Sequence, residues 1–381
     1  MKEQHNSRLI RQFIELVTID SPSGEERAVA DYLKKELGEL GMDVAEDGAG
    51  EKLGTDCGNL IARLEGNQAA PAILLAAHMD TVVPGRGIRP LLREGAIYSS
   101  GDTILGADDK AGIAVILEVM RRIREERISH GRIEVLFSVG EEQGLLGAKQ
   151  LDFSRLSAEM GFVLDSSGEI GSFVVQGPVQ NQIEATVSGR AAHAGINPED
   201  GINAIQVAAR AIANMRLGRI DEETTTNIGV INGGEARNIV PERVYIKGEA
   251  RSLKTDKLDA VTQQMVKELE REAEAAGAAV EVRVERLYPA FCLSEDQAVV
   301  KVTEEAVRRV GLVPRREKSG GGSDANIING MGIPTVNLGV AMRQVHTREE
   351  HIFLHDLEKL AALVLEICRV AAGENAGSGT S

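Results

Sequence analysis

The chain has 381 residues, 43% apolar and 27% charged, which suits a soluble globular protein and exceeds what one compact core usually absorbs, so two domains are expected. Lysine and arginine number 43 against 58 aspartates and glutamates, a net charge of −15, which argues against a nucleic-acid partner, since phosphate binding needs a clustered basic surface. Aromatic residues are 3% with no tryptophan, so Ala, Val, Ile and Leu must build the core.

No apolar run approaches the ~20 residues of a membrane span, and residues 1–17 lack the continuous apolar segment of a secretion signal. Cys57, Cys292 and Cys368 are odd in number and widely spaced, as reduced structural thiols of a cytoplasmic protein would be. The acidity serves solubility first; it would also draw cationic amino termini.

In chain order, apolar residues recur at helical spacing over 7–17. A second helix is expected from Ser23, which stands three residues before Glu26 as a capping box, to Gly41. Strands follow at 59–64 and 72–77, a helix at 110–126, a strand at 132–138, a helix at 143–150 and a strand at 161–164. This alternation predicts an α/β layer with a largely parallel sheet. After Gly177-Pro178 the pattern becomes strand 183–188, helix 202–217, strands 227–232 and 244–252, helix 257–276 and strand 280–287, the β-α-β-β-α-β order of a ferredoxin-like unit. Alternation resumes with helix 296–310, strand 335–338 and helix 354–372. The reading is a catalytic domain split into 1–178 and 291–381 around a lid at 179–290, with a disordered tail over 373–381.

Polar residues gather at the ends of the buried segments. Leu74-Leu75-Ala76-Ala77-His78-Met79-Asp80 puts His78 and Asp80 on one side of an extended chain, so His78 can ligate a metal while Asp80 holds its other ring nitrogen. The alternative for the pair is a strand end facing solvent. Asp108-Asp109 opens the helix at 110–126, either as a cap and a first-turn acid or with Asp108 as a metal-bridging carboxylate. Glu141-Glu142 follows Gly140, so one glutamate can coordinate while the other faces water as a general base. Asp165 ends the strand at 161–164, and His346 precedes a helix.

Four successive expected strands thus end in His-x-Asp, Asp-Asp, Glu-Glu and Asp. The carboxyl ends of strands in open α/β sheets build the ligand crevice. Such a cluster repels itself unless cations neutralise it, and mixed imidazole and carboxylate donors suit two catalytic Zn²⁺ ions, with Mn²⁺ or Co²⁺ chemically admissible.

These motifs resemble the zinc exopeptidases that include tripeptidase T, aminoacylase, succinyl-diaminopimelate desuccinylase and glutamate carboxypeptidase. The resemblance spans residues 5–372 and rests on His78-Met79-Asp80-Thr81, Gly106-Ala107-Asp108-Asp109-Lys110 and Glu141-Glu142 in that order. It implies a mixed sheet flanked by helices with an inserted ferredoxin-like lid. It implies one metal on His78, Asp108 and Asp165, another on Asp108, Glu142 and His346, Glu141 as general base, and Asp80 supporting His78.

It also implies an oxyanion-stabilising His193 in Gly189-Arg190-Ala191-Ala192-His193-Ala194-Gly195, and a homodimer through the lid. Substrate contacts would come from Asn238, from Arg251 and from Gly321, Gly322 and Ser323 of the glycine-rich loop. Asp165 and the Asp108-Asp109-Lys110-Ala111-Gly112 run resemble the aminopeptidases of tripeptidase T type, whose substrates are short peptides. Ala194 after His193, and Glu249-Ala250-Arg251-Ser252, depart from that type, leaving peptide preference open. An N-acyl amino acid deacylase of the same fold and a non-catalytic metal-binding module are the alternatives.

Overall fold

A computed structural model describes residues 7–374. Contacts divide them into two units, one of residues 7–175, 292–318 and 323–374, the other of 176–291 with 319–322. The tail expected over 373–381 lies, apart from Gly373 and Glu374, outside the described residues; those two close the turn after the last helix through N–H bonds to Val370 and Arg369 carbonyls.

Helix α1 (Arg8–Val17) is capped by the Ser7 hydroxyl, which accepts the Ile10 N–H, and buries Leu9, Ile10, Phe13, Leu16 and Val17. Helix α2 (Arg27–Glu39) starts later than the capping box suggests; its N-cap residue Glu26 makes no side-chain cap, and the Asp56 carboxylate accepts the first helical N–H, that of Arg27. The Ser23 hydroxyl donates to Asp80 instead, and the Glu26 carboxylate accepts the Gly140 N–H. Long-range partners have outbid the local ones.

Strands β1 (Asp43–Glu46) and β2 (Leu60–Leu64) enclose the short α3 (Ala49–Leu53). Strand β3 (Ile73–His78) is buried along its whole length. A hairpin, β4 (Pro90–Arg93) and β5 (Ala96–Ser99), turns at Glu94-Gly95, both with positive φ. Then come α4 (Ala107–Glu125), β6 (Ile133–Ser138), α5 (Leu146–Gln150), β7 (Met160–Ser166) and β8 (Ser172–Gly177).

The inserted unit carries β9 (Val179–Ser188), α6 (Ala204–Asn214), β10 (Gly218–Arg219), β11 (Thr224–Gly233), β12 (Arg243–Ser252), α7 (Thr255–Ala276) and β13 (Ala279–Tyr288). Its antiparallel sheet runs β10-β11-β12-β9-β13. Burial alternates along β9, and Ile183, Ala185 and Val187 pack with Ala204, Val207 and Ala208 of α6 and Leu258, Met265 and Leu269 of α7. This is the β-α-β-β-α-β order expected, with the two-residue β10 added.

The chain returns through β14 (Phe291–Cys292), α8 (Ala298–Arg309), β15 (Arg315–Lys318), α9 (Asp324–Gly330), β16 (Thr335–Gly339), β17 (His351–Phe353) and α10 (Leu354–Ala371). The main sheet has the order β1-β2-β6-β3-β7-β16-β8-β14, with β15 on β8. Its centre is parallel across β6, β3, β7 and β16, while β1, β2 and β8 pair antiparallel, so the sheet is mixed rather than largely parallel. A separate three-stranded sheet, β17-β5-β4, was not legible as such in the sequence. Among the described residues no helix is long and apolar enough to cross a membrane.

A candidate dinuclear metal centre

The parallel centre of the sheet presents the carboxyl ends of β3, β6 and β7 side by side. His78 is the last residue of β3, Glu141 and Glu142 follow β6 after the Gly140 turn (φ +59), and Asp165 lies near the end of β7. Asp108 arrives differently. No strand of the main sheet leads into it; it stands at the start of α4 in a non-helical conformation, after Gly106 (φ +71) and before a cis Asp108–Asp109 peptide. The expected row of four strand ends is therefore three strand ends and one helix start.

Asp108 faces both histidines. Its Oδ1 lies 3.1 Å from His78 Nε2 and its Oδ2 lies 3.3 Å from His346 Nε2. His78 Nε2 is also 3.8 Å from Asp165 Oδ1, and His346 Nε2 is 2.9 Å from Glu142 Oε1. Two trios result, His78–Asp108–Asp165 and Asp108–Glu142–His346, each with donor atoms within 4.8 Å of one another. They share one carboxylate and use a different oxygen of it.

The first trio is rooted in the sheet, with His78 only 2% exposed. In the second, the His346 side chain is 49% exposed and stands on a loop at φ +63. A third group, Glu26, Asp56 and Cys57, comes equally close, but there the Asp56 carboxylate already accepts the Arg27 main-chain N–H, while the Arg27 guanidinium donates to the Asp56 main-chain carbonyl.

Asp80 organises the backbone around these groups. Fully buried, it accepts the Glu141 N–H at 2.9 Å, the Glu142 N–H at 3.1 Å and the Ser23 hydroxyl at 2.6 Å. His78 Nδ1 lies 2.9 Å from the Asp80 main-chain carbonyl and 3.4 Å from its carboxylate. The ring is thus held mainly by the carbonyl, and the carboxylate chiefly fixes Glu141 and Glu142. Asp109 is no simple helix cap: its carboxylate accepts the N–H groups of His78 and Gly112.

Three neighbours had no role in the sequence reading. Glu350, wholly buried, accepts the N–H groups of Leu105, Gly106 and Asp108 at 2.7, 2.7 and 3.0 Å. Asp324 accepts the Ser138 hydroxyl at the end of β6, and Asn337 of β16 accepts the Asp165 N–H at 3.0 Å. Glu350 stands four residues after His346 and Asp324 directly after Ser323, so proximity to a candidate site residue was the available signal.

Electrostatically the cluster is frustrated. Burial, then the charge of Asp165, pushes the Glu141 carboxyl well above its ordinary value. Burial and Asp108 do the same to Asp165. Burial alone would raise Asp108, but hydrogen bonds to His346 and His78 outweigh it and hold this carboxyl low. His346 is pushed up to about 10 by Asp108 and Glu142. Burial opposes the charge on His78, yet Asp108 and Asp80 raise it well above an ordinary imidazole. Buried acids drawing in protonated imidazoles are what a cation-binding donor set does when protons serve as the counter-charge. The donors present fit divalent ions.

The remaining candidate residues lie in or beside the inserted unit. His193 pairs with Ile239 in an isolated bridge, its Nδ1 accepts the Gly195 N–H, and the Asn238 carbonyl accepts the Ala194 N–H, so His193 and Asn238 share adjoining segments. Arg251 of β12 is ion-paired with Glu249 at 3.1 Å. The Gly321 carbonyl accepts the Ser319 hydroxyl, and Gly322 lies so close to the Tyr288 ring that an added Cβ would stand 2.2 Å from it. Ser323, in the unit that carries the main sheet, caps α9 in a capping box with Asn326.

Comparison with known proteins agrees with this architecture. Residues 74–369 match the model of Peptidase family M20/M25/M40. The chain is 45% identical to the uncharacterised protein YqjE of Bacillus subtilis over 97% of its own length and 99% of that protein's. It superposes on the crystal structure of aminopeptidase PepT from Bacillus cereus with a TM-score of 0.88 at 45% identity, covering 96% of this chain and 98% of that one. A tripeptidase from Staphylococcus aureus gives a TM-score of 0.93 at 43% identity with the same coverage. A cluster of imidazoles and carboxylates gathered around the ends of three parallel strands and the start of α4, on a fold shared along nearly its whole length, places the chain in peptidase family M20/M25/M40 as a hydrolase.

Proposed function

We propose that this chain is a two-metal exopeptidase, an aminopeptidase that releases N-terminal residues from short peptides. One observation carries the reading: two ligand trios share Asp108 through its two oxygens, and Glu141, which belongs to neither, stands next to Glu142. One ion is assigned to His78, Asp108 and Asp165, the other to Asp108, Glu142 and His346. Zinc suits these donors best, with manganese or cobalt compatible. Bound there, two such ions supply a polarised amide carbonyl and a more acidic water.

The protein's own groups do the rest. Glu141, held above its ordinary carboxyl value by burial, accepts the proton of the attacking water and returns it to the leaving amine nitrogen. Asp80 keeps Glu141 and Glu142 in place through their N–H groups. His193 is assigned to the oxyanion, and Asn238, Arg251, Gly321, Gly322 and Ser323 to the substrate. The insert at 179–290 serves as lid and homodimer contact, and residues 1–178 with 291–381 form the catalytic domain. The working compartment is the cytoplasm, with no nucleic-acid or membrane partner.

Similarity to an aminopeptidase and a tripeptidase at 45% and 43% identity supports the peptide substrate. A steady-state panel on metal-reconstituted protein tests it. Ala-Ala-Ala should turn over with release of free alanine, and N-acetyl amino acids should not. Turnover of the acyl compounds alone would make the chain a deacylase, and turnover of neither class would leave a metal-binding module.

A further inference from the structure

The two trios are not equally well anchored. His78 and Asp165 sit on β3 and β7, paired in parallel in the main sheet, and Asp108 meets them from the start of α4. His346 stands on a loop outside that sheet. The loop is closed at its base by Arg343 and His351, whose main chains exchange hydrogen bonds of 3.0 Å, and His351 begins β17 in the three-stranded sheet. Within the loop, short turns join the Thr347 N–H to the Gln344 carbonyl and the Glu350 N–H to the Thr347 carbonyl. These ties give the loop a shape. They do not attach it to Asp108.

Glu350 makes that attachment. Four residues after His346, its carboxylate accepts the N–H groups of Leu105 and Gly106 with one oxygen and that of Asp108 with the other. The side chain is wholly buried, so water cannot replace it, and the three N–H groups lie just before α4 or within its first turn, where the helix itself offers them no acceptor. We propose that Glu350 is a positioning residue that sets the second ligand trio by fixing the His346 loop and the Asp108 backbone to each other. It donates nothing to an ion and touches no substrate. Its effect is on the separation of His346 from Asp108, and so on one ion more than the other.

This inference rests on the two-metal reading, and a stepwise Co²⁺ titration separates the two. Metal-free protein is titrated by calorimetry and by visible absorption, which reports the geometry at each filled site. Wild-type protein should take two Co²⁺ ions. Glu350→Ala should bind the first within about threefold of wild type and the second about 10–100-fold more weakly, the range for losing a group that orients a metal ligand, with an altered spectrum for that step. Glu350→Gln should fall between, because its amide oxygen can serve Leu105 and Gly106 while its NH₂ meets the Asp108 N–H. Glu142→Ala, which removes a ligand, marks what loss of the second ion looks like. Glu349→Gln, on the exposed neighbour, should match wild type.

Unchanged binding of both ions by Glu350→Ala, or equal weakening of both, overturns the positioning role. If that variant does not fold, Glu350→Gln decides by the same criteria. A wild-type protein that takes fewer than two ions overturns the two-metal reading itself.

Discussion

Glu141→Gln isolates the proton-transfer step from metal binding. The side chain belongs to neither ligand trio, and its link to Asp80 runs through the main-chain N–H, which substitution leaves in place. The amide keeps the shape and removes the base. Loss of a positioned general base costs about 10²–10⁴ in rate, or roughly 3–5 kcal/mol of barrier at about 1.4 kcal/mol per tenfold. The variant should therefore bind both ions and lose that factor in kcat/KM on a tripeptide.

Stability should move the other way. Burial and Asp165 hold the Glu141 carboxyl above its ordinary value, so in metal-free protein its favourable share of stability is complete below the unfolded value of about 4.3. That share is lost as pH rises towards the folded value. A neutral amide carries no such loss, and metal-free Glu141→Gln should melt at or above wild type at neutral pH. Metal content by elemental analysis, steady-state kinetics and paired thermal melts check the three parts. Activity within tenfold of wild type, or a loss that tracks missing metal, refutes the assignment.

Asp80→Asn should be costly for a different reason. An amide presents one acceptor oxygen to three donors, the N–H groups of Glu141 and Glu142 and the Ser23 hydroxyl. At least one N–H is stranded, so denaturant melts should show a loss of about 1–3 kcal/mol; an unchanged midpoint contradicts that role. Metal uptake should also release protons. With His346 pushed up to about 10 by Asp108 and Glu142, its imidazole is charged at pH 7 in metal-free protein and must deprotonate to ligate. Affinity should therefore rise with pH until about 10, and calorimetry in buffers of differing ionisation enthalpy should find at least one proton released per second ion bound. Buffer-independent heats would contradict it.

The sheet was legible because its central strands are short, largely apolar runs that end abruptly in charge. Ile133 to Ser138 and Ile73 to His78 are buried throughout, and their ends carry Glu141, Glu142 and His78. The β-α-β-β-α-β order after Gly177 was legible because apolar residues alternate along β9 and recur at helical spacing in α6 and α7. The hairpin of β4 and β5 was missed although Glu94-Gly95 is a two-residue turn, because exposed Leu91 and Leu92 blur the alternation. Ser23 and Glu26 matched a local cap and were drawn elsewhere by tertiary partners. Glu350, Asp324 and Asn337 act on main-chain or hydroxyl groups far away in the chain, and no spacing rule links a buried acceptor to donors 242 to 245 residues distant. Sequence order reveals which groups can act at a strand end; it is silent on what holds them there.

The register of the inserted sheet bears on how the protein came to be assembled. Its first strand, β9, and its last, β13, lie next to each other, with Tyr288 opposite Gln180 near the points where the chain enters and leaves. On the other side of those points β8 and β14 are also neighbours. The two crossings therefore stand together, as the two ends of a ribbon would. A segment whose ends meet in this way can be gained, lost or exchanged between ancestors as a single piece, without re-threading the host.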